Sequence, residues 1–407
     1  MAPSQAHSVG REAAPGGKPR SVSKVQTHPA ENGKSRPPRA RKELRIGFST
    51  GTAATAAAQG ALRELLGLPC ADTVEVSLPG GGSLFIPLRS HGRSGSRGEA
   101  MVVKDAGDDP DATHGAEIGA RVWLTDLGWR ESIVVHGGEG VGRVTKPGLP
   151  LPVGGPAINP VPRRMLQQGL AAVWQEGGED RPLQLCVEIF VPRGAEIARH
   201  TLNPRLGILD GISILGTTGL VKPFSHQAYR ATIVSALKVA RASGLRQVVL
   251  TTGGKSEAYL QALLPHLPDE AFVQMGDYVR FALKVAVELG FVHMTVGAFF
   301  GKAVKIAQGF DHTHASRGRA NFKDLGLLIR DITGDLLLAA AAREANTARE
   351  VLEMLPGPSR QAVAAAVGRR MVAALREHAG PTPRIAALIL DFDGFLLARE
   401  ERFGGAS

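Results

Sequence analysis

From residue 225 onward the chain alternates apolar runs of strand length with helical stretches, and that alternation limits the fold more than any other feature. Ser225 stands where a helix N-cap would, and Gly244 where that helix would stop. RQVVLTT (246–252) reads as a buried strand, SEAYLQALL (256–264) as a helix and AFVQMG (271–276) as a strand. DYVRFALKVAVELG (277–290) continues as a helix and FVHMTVGAFF (291–300) as a strand. Two helical stretches (335–355 and 360–378) and the apolar strand RIAALIL (384–390) close the pattern. Such succession predicts an α/β doubly wound, Rossmann-like domain over residues 225–407, with a mostly parallel sheet.

Residues 44–224 read differently. Ser49-Thr50-Gly51-Thr52 leads into an Ala-rich helix that ends at Gly67 and Pro69. DTVEVSL (72–78), LFIPL (84–88), AMVVK (100–104) and ESIVVHG (131–137) are short strands separated by Gly- and Asp-rich loops. This part is expected to be an α+β domain.

The net charge of +10 raises the question of nucleic acid, and its location answers it. Residues 1–45 hold ten Lys or Arg against three acids, a net +7, which leaves +3 for the other 362 residues. The body is nearly neutral and no nucleic-acid partner is expected. Residues 1–43, rich in Pro, Gly, Ser and Arg, bury too little apolar surface to offset ordering and are expected to be a disordered basic tail. Two distant cysteines, Cys70 and Cys186, supply neither a zinc site nor a disulfide framework. With no apolar N-terminal core and no run near the ~20 residues of a membrane span, the expectation is a cytoplasmic protein without a membrane partner.

The segment HGGEGVGRVTKPGLPLPVGGPAINPVPRRML (136–166) is too long and too rich in Gly and Pro for a helix. It fails as a dinucleotide fingerprint, because Arg143 stands at the third glycine position. A long ordered loop of backbone N–H groups with Arg143 and Lys146 suits a polyanion, against the plainer reading of glycines needed only for turns. TTGGKSE (251–257) lies at a strand-to-helix turn, where α/β sheets bind ligands. It is no P-loop, since Val249 occupies the first glycine position. Four aspartates in KDAGDDPDATHG (104–115) lack calcium-loop spacing and read as turn makers. His312 and His314 share a polar loop in which no third metal ligand follows. DFDG (391–394) reads as a strand end and turn, because too little chain follows for a phosphatase domain.

Taken in order, six blocks resemble the cobalt-precorrin-5B C(1)-methyltransferase family. They are FSTGTAATAAAQGAL (48–62), KDAGDDPDATHG (104–115) and GGEGVGRVTKPGLPLPVGGPAINPVPRRM (137–165). VPRGAEIARHTLNPRLGILDGISILGTTGLVKPFS (191–225), VLTTGG (249–254) and GKAVKIAQGFDHTHASRG (301–318) follow. The basic tail departs from that pattern.

The resemblance implies methyl transfer from S-adenosylmethionine to C1 of a cobalt corrinoid, giving cobalt-precorrin-6A in anaerobic vitamin B12 synthesis. No protein-bound metal is expected, since the cobalt belongs to the substrate. Thr50, Gly51, Arg143, Lys146, Asn159, Arg163 and Lys302 are the expected substrate contacts, the cations facing a rim of carboxylates. Gly216, Thr217, Thr218 and Gly219, together with Thr251, Thr252, Gly253 and Gly254, are the two expected cofactor surfaces. Asp277, His312 and His314 are the candidates for a base. Unstable intermediates make transient contact with neighbouring pathway enzymes compatible with this reading. A non-catalytic corrinoid carrier is the alternative, and it would have no use for the methyl donor.

Overall fold

Two five-stranded sheets organise the protein, in a computed structural model that describes residues 44–125, 133–177 and 184–402. The expected tail, 1–43, lies outside the described residues.

The first sheet contains β1 (Ser90–Ser94), β2 (Arg97–Val103), β3 (Glu117–Thr125), β4 (Ile133–Gly137) and β5 (Gln184–Phe190). They lie in the order β1-β2-β3-β5-β4, antiparallel except where β4 runs parallel to β5. Helix α1 (Thr50–Leu66) covers this sheet and is buried along almost its whole length. Ser49 caps its start by accepting from the Thr52 N–H, and Gly67, at φ 68°, ends it in the left-handed conformation. Its alanines let backbones approach closely: a Cβ on Gly98 of β2 would fall 1.8 Å from the Ala61 carbonyl oxygen. Helix α2 (Pro160–Gly177) packs beside α1 through Met165, Leu166, Leu170 and Val173.

The second sheet contains β6 (Gln247–Thr251), β7 (Phe272–Gln274), β8 (His293–Phe299), β9 (Arg384–Leu390) and β10 (Leu396–Arg402). Its order is β7-β6-β8-β9-β10, with the first four parallel and β10 antiparallel to β9. The parallel strands are apolar on both faces, as a sheet covered twice requires. Val248, Leu250, Val296 and Ala387 face one core with α3 (His226–Ala242), α5 (Val279–Glu288), α6 (Phe300–Ala307) and α7 (Gly357–Ala379). Val249 and Leu388 face another with α4 (Gly254–Leu263).

Several elements depart from the sequence reading, among them the helix Phe322–Thr333 and the strands β1, β3 and β5, which it leaves unassigned. Phe300, read as the end of a strand, instead opens α6, because Phe300, Ala303, Val304 and Ile306 repeat at helical spacing toward the core. Helix α2 starts on Pro160, a favoured first helical residue that the preceding prolines obscure. The edge strand β10 carries mixed charge, which hides it in sequence. DFDG is the turn before it, with Asp391 accepting from the N–H groups of Asp393 and Phe395. No described helix is long and apolar enough to cross a membrane.

Candidate functional site

The C-terminal ends of β7, β6 and β8 lie side by side, and each delivers polar groups to the same place. From β6 come Thr251, Thr252 and the Gly253-Gly254 turn into α4. A Cβ on Gly253, at φ 155°, would meet nothing, and one on Gly254 would meet only Gln274 Nε2 at 3.7 Å. No side chain caps the start of α4, where the first N–H groups of a helix have no intrahelical partner. Thr252 Oγ1 lies 3.2 Å from Ser256 Oγ, while Thr251 Oγ1 is buried without a hydrogen-bond partner.

Asp277 follows β7 and Lys302 follows β8. Lys302 Nζ lies 3.0 Å from Asp277 Oδ1 and donates to the Thr252 carbonyl at 3.2 Å, so it ties all three strand ends together. Thr313 adds a hydroxyl bond to the same Asp277 oxygen at 2.6 Å. Its backbone N–H bonds the Asp277 carbonyl, and Lys305 Nζ bonds the Thr313 carbonyl. Burial alone would raise the Asp277 carboxyl. The Thr313 hydroxyl and the Lys302 ammonium together outweigh it and hold the group below its ordinary value.

His312 stands over this pair. Burial lowers its ionisation, outweighing the Asp277 carboxylate, which works in the opposite direction. Its Nδ1 accepts from the His314 backbone N–H at 3.3 Å, which leaves Nε2 to carry the proton of the neutral ring. That Nε2 is buried and has no hydrogen-bond partner among the described residues. His314 is exposed and its Nδ1 caps the turn Ala315–Arg317.

An aromatic group missed in sequence borders the site. Tyr278 meets His312 edge-on at 4.7 Å between ring centres, stacks on Tyr229 at 5.4 Å and hydrogen-bonds His226 Nδ1. Two of the chain's three tyrosines meet here, which was the available signal. Beside them a hollow of about 170 Å³ is lined by Tyr229, Thr232, Arg205, Phe272 and Gln274. Buried Glu257 on α4 closes its floor through Arg205 and Gln274.

The other expected residues fall elsewhere. Thr50 and Gly51 bond the run just before Gly216, and the flanking Ser49 and Thr52 meet Gly216 and Gly219, as an internal brace for the start of α1. Thr50 Oγ1 accepts from the Leu215 N–H at 2.8 Å, the Gly51 N–H bonds the Leu215 carbonyl, and Thr52 Oγ1 bonds the Gly219 carbonyl at 2.7 Å. Thr217 and Thr218 are exposed, and the Thr218 hydroxyl is 3.3 Å from both the N and the O of Leu220.

The long loop is pinned by short pairings of Arg143–Val144 with Ile208–Leu209 and by the Asn159 N–H to the Ile214 carbonyl. Arg143 is exposed and Arg163 half-buried. Lys146, expected to be a free cation, pairs with Glu270 just before β7. The aspartates at 105–111 are internal anchors: Asp109 accepts from the Phe224 N–H, and Asp111 from buried Lys104.

Residues 37–223 match the family model described as CbiD, and residues 312–401 match that of the CbiD C-terminal domain. A cobalt-precorrin-5B C(1)-methyltransferase from Geobacillus kaustophilus is 48% identical over 77% of this chain and 83% of that protein. Those from Thermus thermophilus and Nitratidesulfovibrio vulgaris are 44% and 43% identical, covering 88% and 89% of this chain and 94% and 95% of theirs. A cobalamin biosynthesis protein from Archaeoglobus fulgidus, known by crystal structure, is 26% identical over 67% of this chain and 83% of its own, with a TM-score of 0.36. Identity at this level, sustained over most of both chains, shows that the chain belongs to the CbiD family of cobalt-precorrin-5B C(1)-methyltransferases.

Proposed function

We infer that this chain transfers the methyl group of S-adenosylmethionine to C1 of cobalt-precorrin-5B, giving cobalt-precorrin-6A. The observation that carries the site assignment is the meeting of Asp277, Lys302 and the open start of α4 at three adjacent parallel strand ends. With the boundary proposed near residue 225, the order β7-β6-β8-β9-β10 supports reading residues 225–407 as a doubly wound domain. Its order reverses between β6 and β8, the crevice where such sheets take ligands. Lys302 bridges that crevice.

The donor brings an activated methyl on a sulfonium, so the protein's task is to align two reactants. Alignment of this kind supplies roughly 7–11 kcal/mol of a barrier. The free N–H groups of α4 and the positive end of its dipole suit the donor's carboxylate, and Gly253 and Gly254 leave room for close approach. Lys302 keeps Asp277 ionised and braces Thr252. His312 serves as a hydrogen-bond donor through Nε2 rather than as the base, because its lone pair is already engaged. His314 acts as a cap.

Arg143 and Arg163 are the cations proposed for the carboxylate rim of the macrocycle, with Asn159 between them in sequence. Lys146 holds the loop in place. The 170 Å³ hollow is smaller than the ~300–1,000 Å³ of ordinary ligand pockets, so the macrocycle docks on the open face of the strand ends.

The test is transfer of labelled methyl from S-adenosylmethionine to enzymatically made cobalt-precorrin-5B under anaerobic conditions. Label at C1 in a product one methyl heavier is expected. Corrinoid binding without transfer would replace the enzyme with a carrier.

A further inference from the structure

At the far end of α1 from the loop it braces, three side chains of metal-binding type converge. One ligand atom from each of Glu64, Cys70 and His91 lies within 4.8 Å of the other two. Glu64 is in the last turn of α1, Cys70 in the loop that follows and His91 on the edge strand β1. His91 Nδ1 faces Glu64 Oε1 at 2.7 Å, and its Nε2 faces Asp72 Oδ1 at 3.7 Å.

We propose that Glu64, Cys70 and His91 form a divalent transition-metal site of the zinc class, with Asp72 as the carboxylate behind the histidine. Thiolate, imidazole and carboxylate together make a donor set that zinc prefers in tetrahedral sites. A ligating histidine commonly turns its second nitrogen to a carboxylate, which fixes ring and tautomer, and Asp72 stands at that nitrogen.

The electrostatics agree. Two carboxylates and the negative end of the α1 dipole gather here. The neighbouring Arg63 binds Glu176 through both carboxylate oxygens and also donates to the Pro69 carbonyl beside Cys70 at 3.3 Å. Among the ion pairs of the described residues, Glu64 pairs with His91. The Cys70 thiol is half-buried and points back toward the Gly60 carbonyl at 3.8 Å, on the side of the helix. A metal bound here would staple the end of α1 to the edge of the first sheet, independently of the methyl-transfer reaction.

The experiment uses the full chain, stripped with a chelator and free of corrinoid, titrated with Co²⁺ and then Zn²⁺. One equivalent of Co²⁺ should give a thiolate charge-transfer band in the near ultraviolet, and one equivalent of Zn²⁺ should abolish it. Cys70→Ser should remove the band while Cys186→Ser leaves it intact. His91→Ala and the conservative, surface-exposed Asp72→Asn should each weaken Zn²⁺ binding, the latter by about 10–100-fold. A band that survives Cys70→Ser, or no band in the folded parent chain, would overturn the site. Equal Zn²⁺ affinity in the parent and in Asp72→Asn would remove Asp72 from it.

Discussion

The sequence offers Asp277, Lys302 and His312 as separate polar positions, and nothing in their spacing says that they meet. Only the parallel order of β7, β6 and β8 brings them together, a long-range fact no local pattern encodes. The structure also changes what His312 is able to do. With Nδ1 occupied by the His314 N–H, the ring offers a donor, and glutamine can imitate a donor. His312→Gln should therefore keep kcat within about tenfold of the parent, whereas His312→Ala should lose about 10²-fold or more. Equal losses in the two variants, measured as kcat in the methyl-transfer assay, would restore the base.

Asp277 gives a second test at this scale. Its carboxyl is held below the ordinary value of 3.8, so the folded state favours the charged form. The stabilisation is full above the unfolded value and is lost as pH falls through the lower folded value. Urea melts of the parent and Asp277→Asn should differ at neutral pH and converge below about pH 4. A gap that widens in acid would contradict the assigned shift.

At the scale of elements, the helix–strand alternation after residue 225 was legible because buried parallel strands are short apolar runs bounded by glycine. Helix α1 was legible through its cap and its closing Gly67. Helix α2 was not, because its first turn is hidden behind a proline-rich loop. The brace between α1 and residues 213–219 was equally invisible, since it joins segments some 165 residues apart. Its hydroxyl has a measurable role. Thr50 is 3% exposed, and its Oγ1 both accepts from the Leu215 N–H and lies 3.1 Å from the Ser213 carbonyl oxygen, to which it donates. Thr50→Val keeps the shape but strands a buried N–H, which should cost about 1–3 kcal/mol in denaturant melts. Thr50→Ser should recover most of that loss. If valine costs nothing, water satisfies Leu215 and the brace is not structural.

For the molecule as a whole, two ion pairs among the described residues join the part built on the first sheet to the part built on the second. Arg205 binds buried Glu257 through two nitrogens and also donates to the Phe272 carbonyl at 2.8 Å. Lys146 reaches Glu270 two residues upstream of Phe272. Lys146 thus fastens the long loop to the segment leading into β7, the strand that delivers Asp277, while Arg205 fastens its own segment to α4 and to the first residue of β7. Breaking a fully buried pair costs roughly 3–5 kcal/mol, and less here because Arg205 is a third exposed.

The consequence is a coupling between stability and catalysis. Arg205→Ala combined with Lys146→Ala leaves each sheet's core intact but removes both pairs. Calorimetry should then resolve two unfolding transitions where the parent shows one. Methyl transfer should fall more than binding of S-adenosylmethionine, because the donor's proposed site lies within the second sheet while the macrocycle needs both parts in register. If the variant unfolds in one step with unchanged kcat/KM for the corrinoid, these pairs do not align the two parts. The loop would then be held by its backbone bonds to residues 207–214.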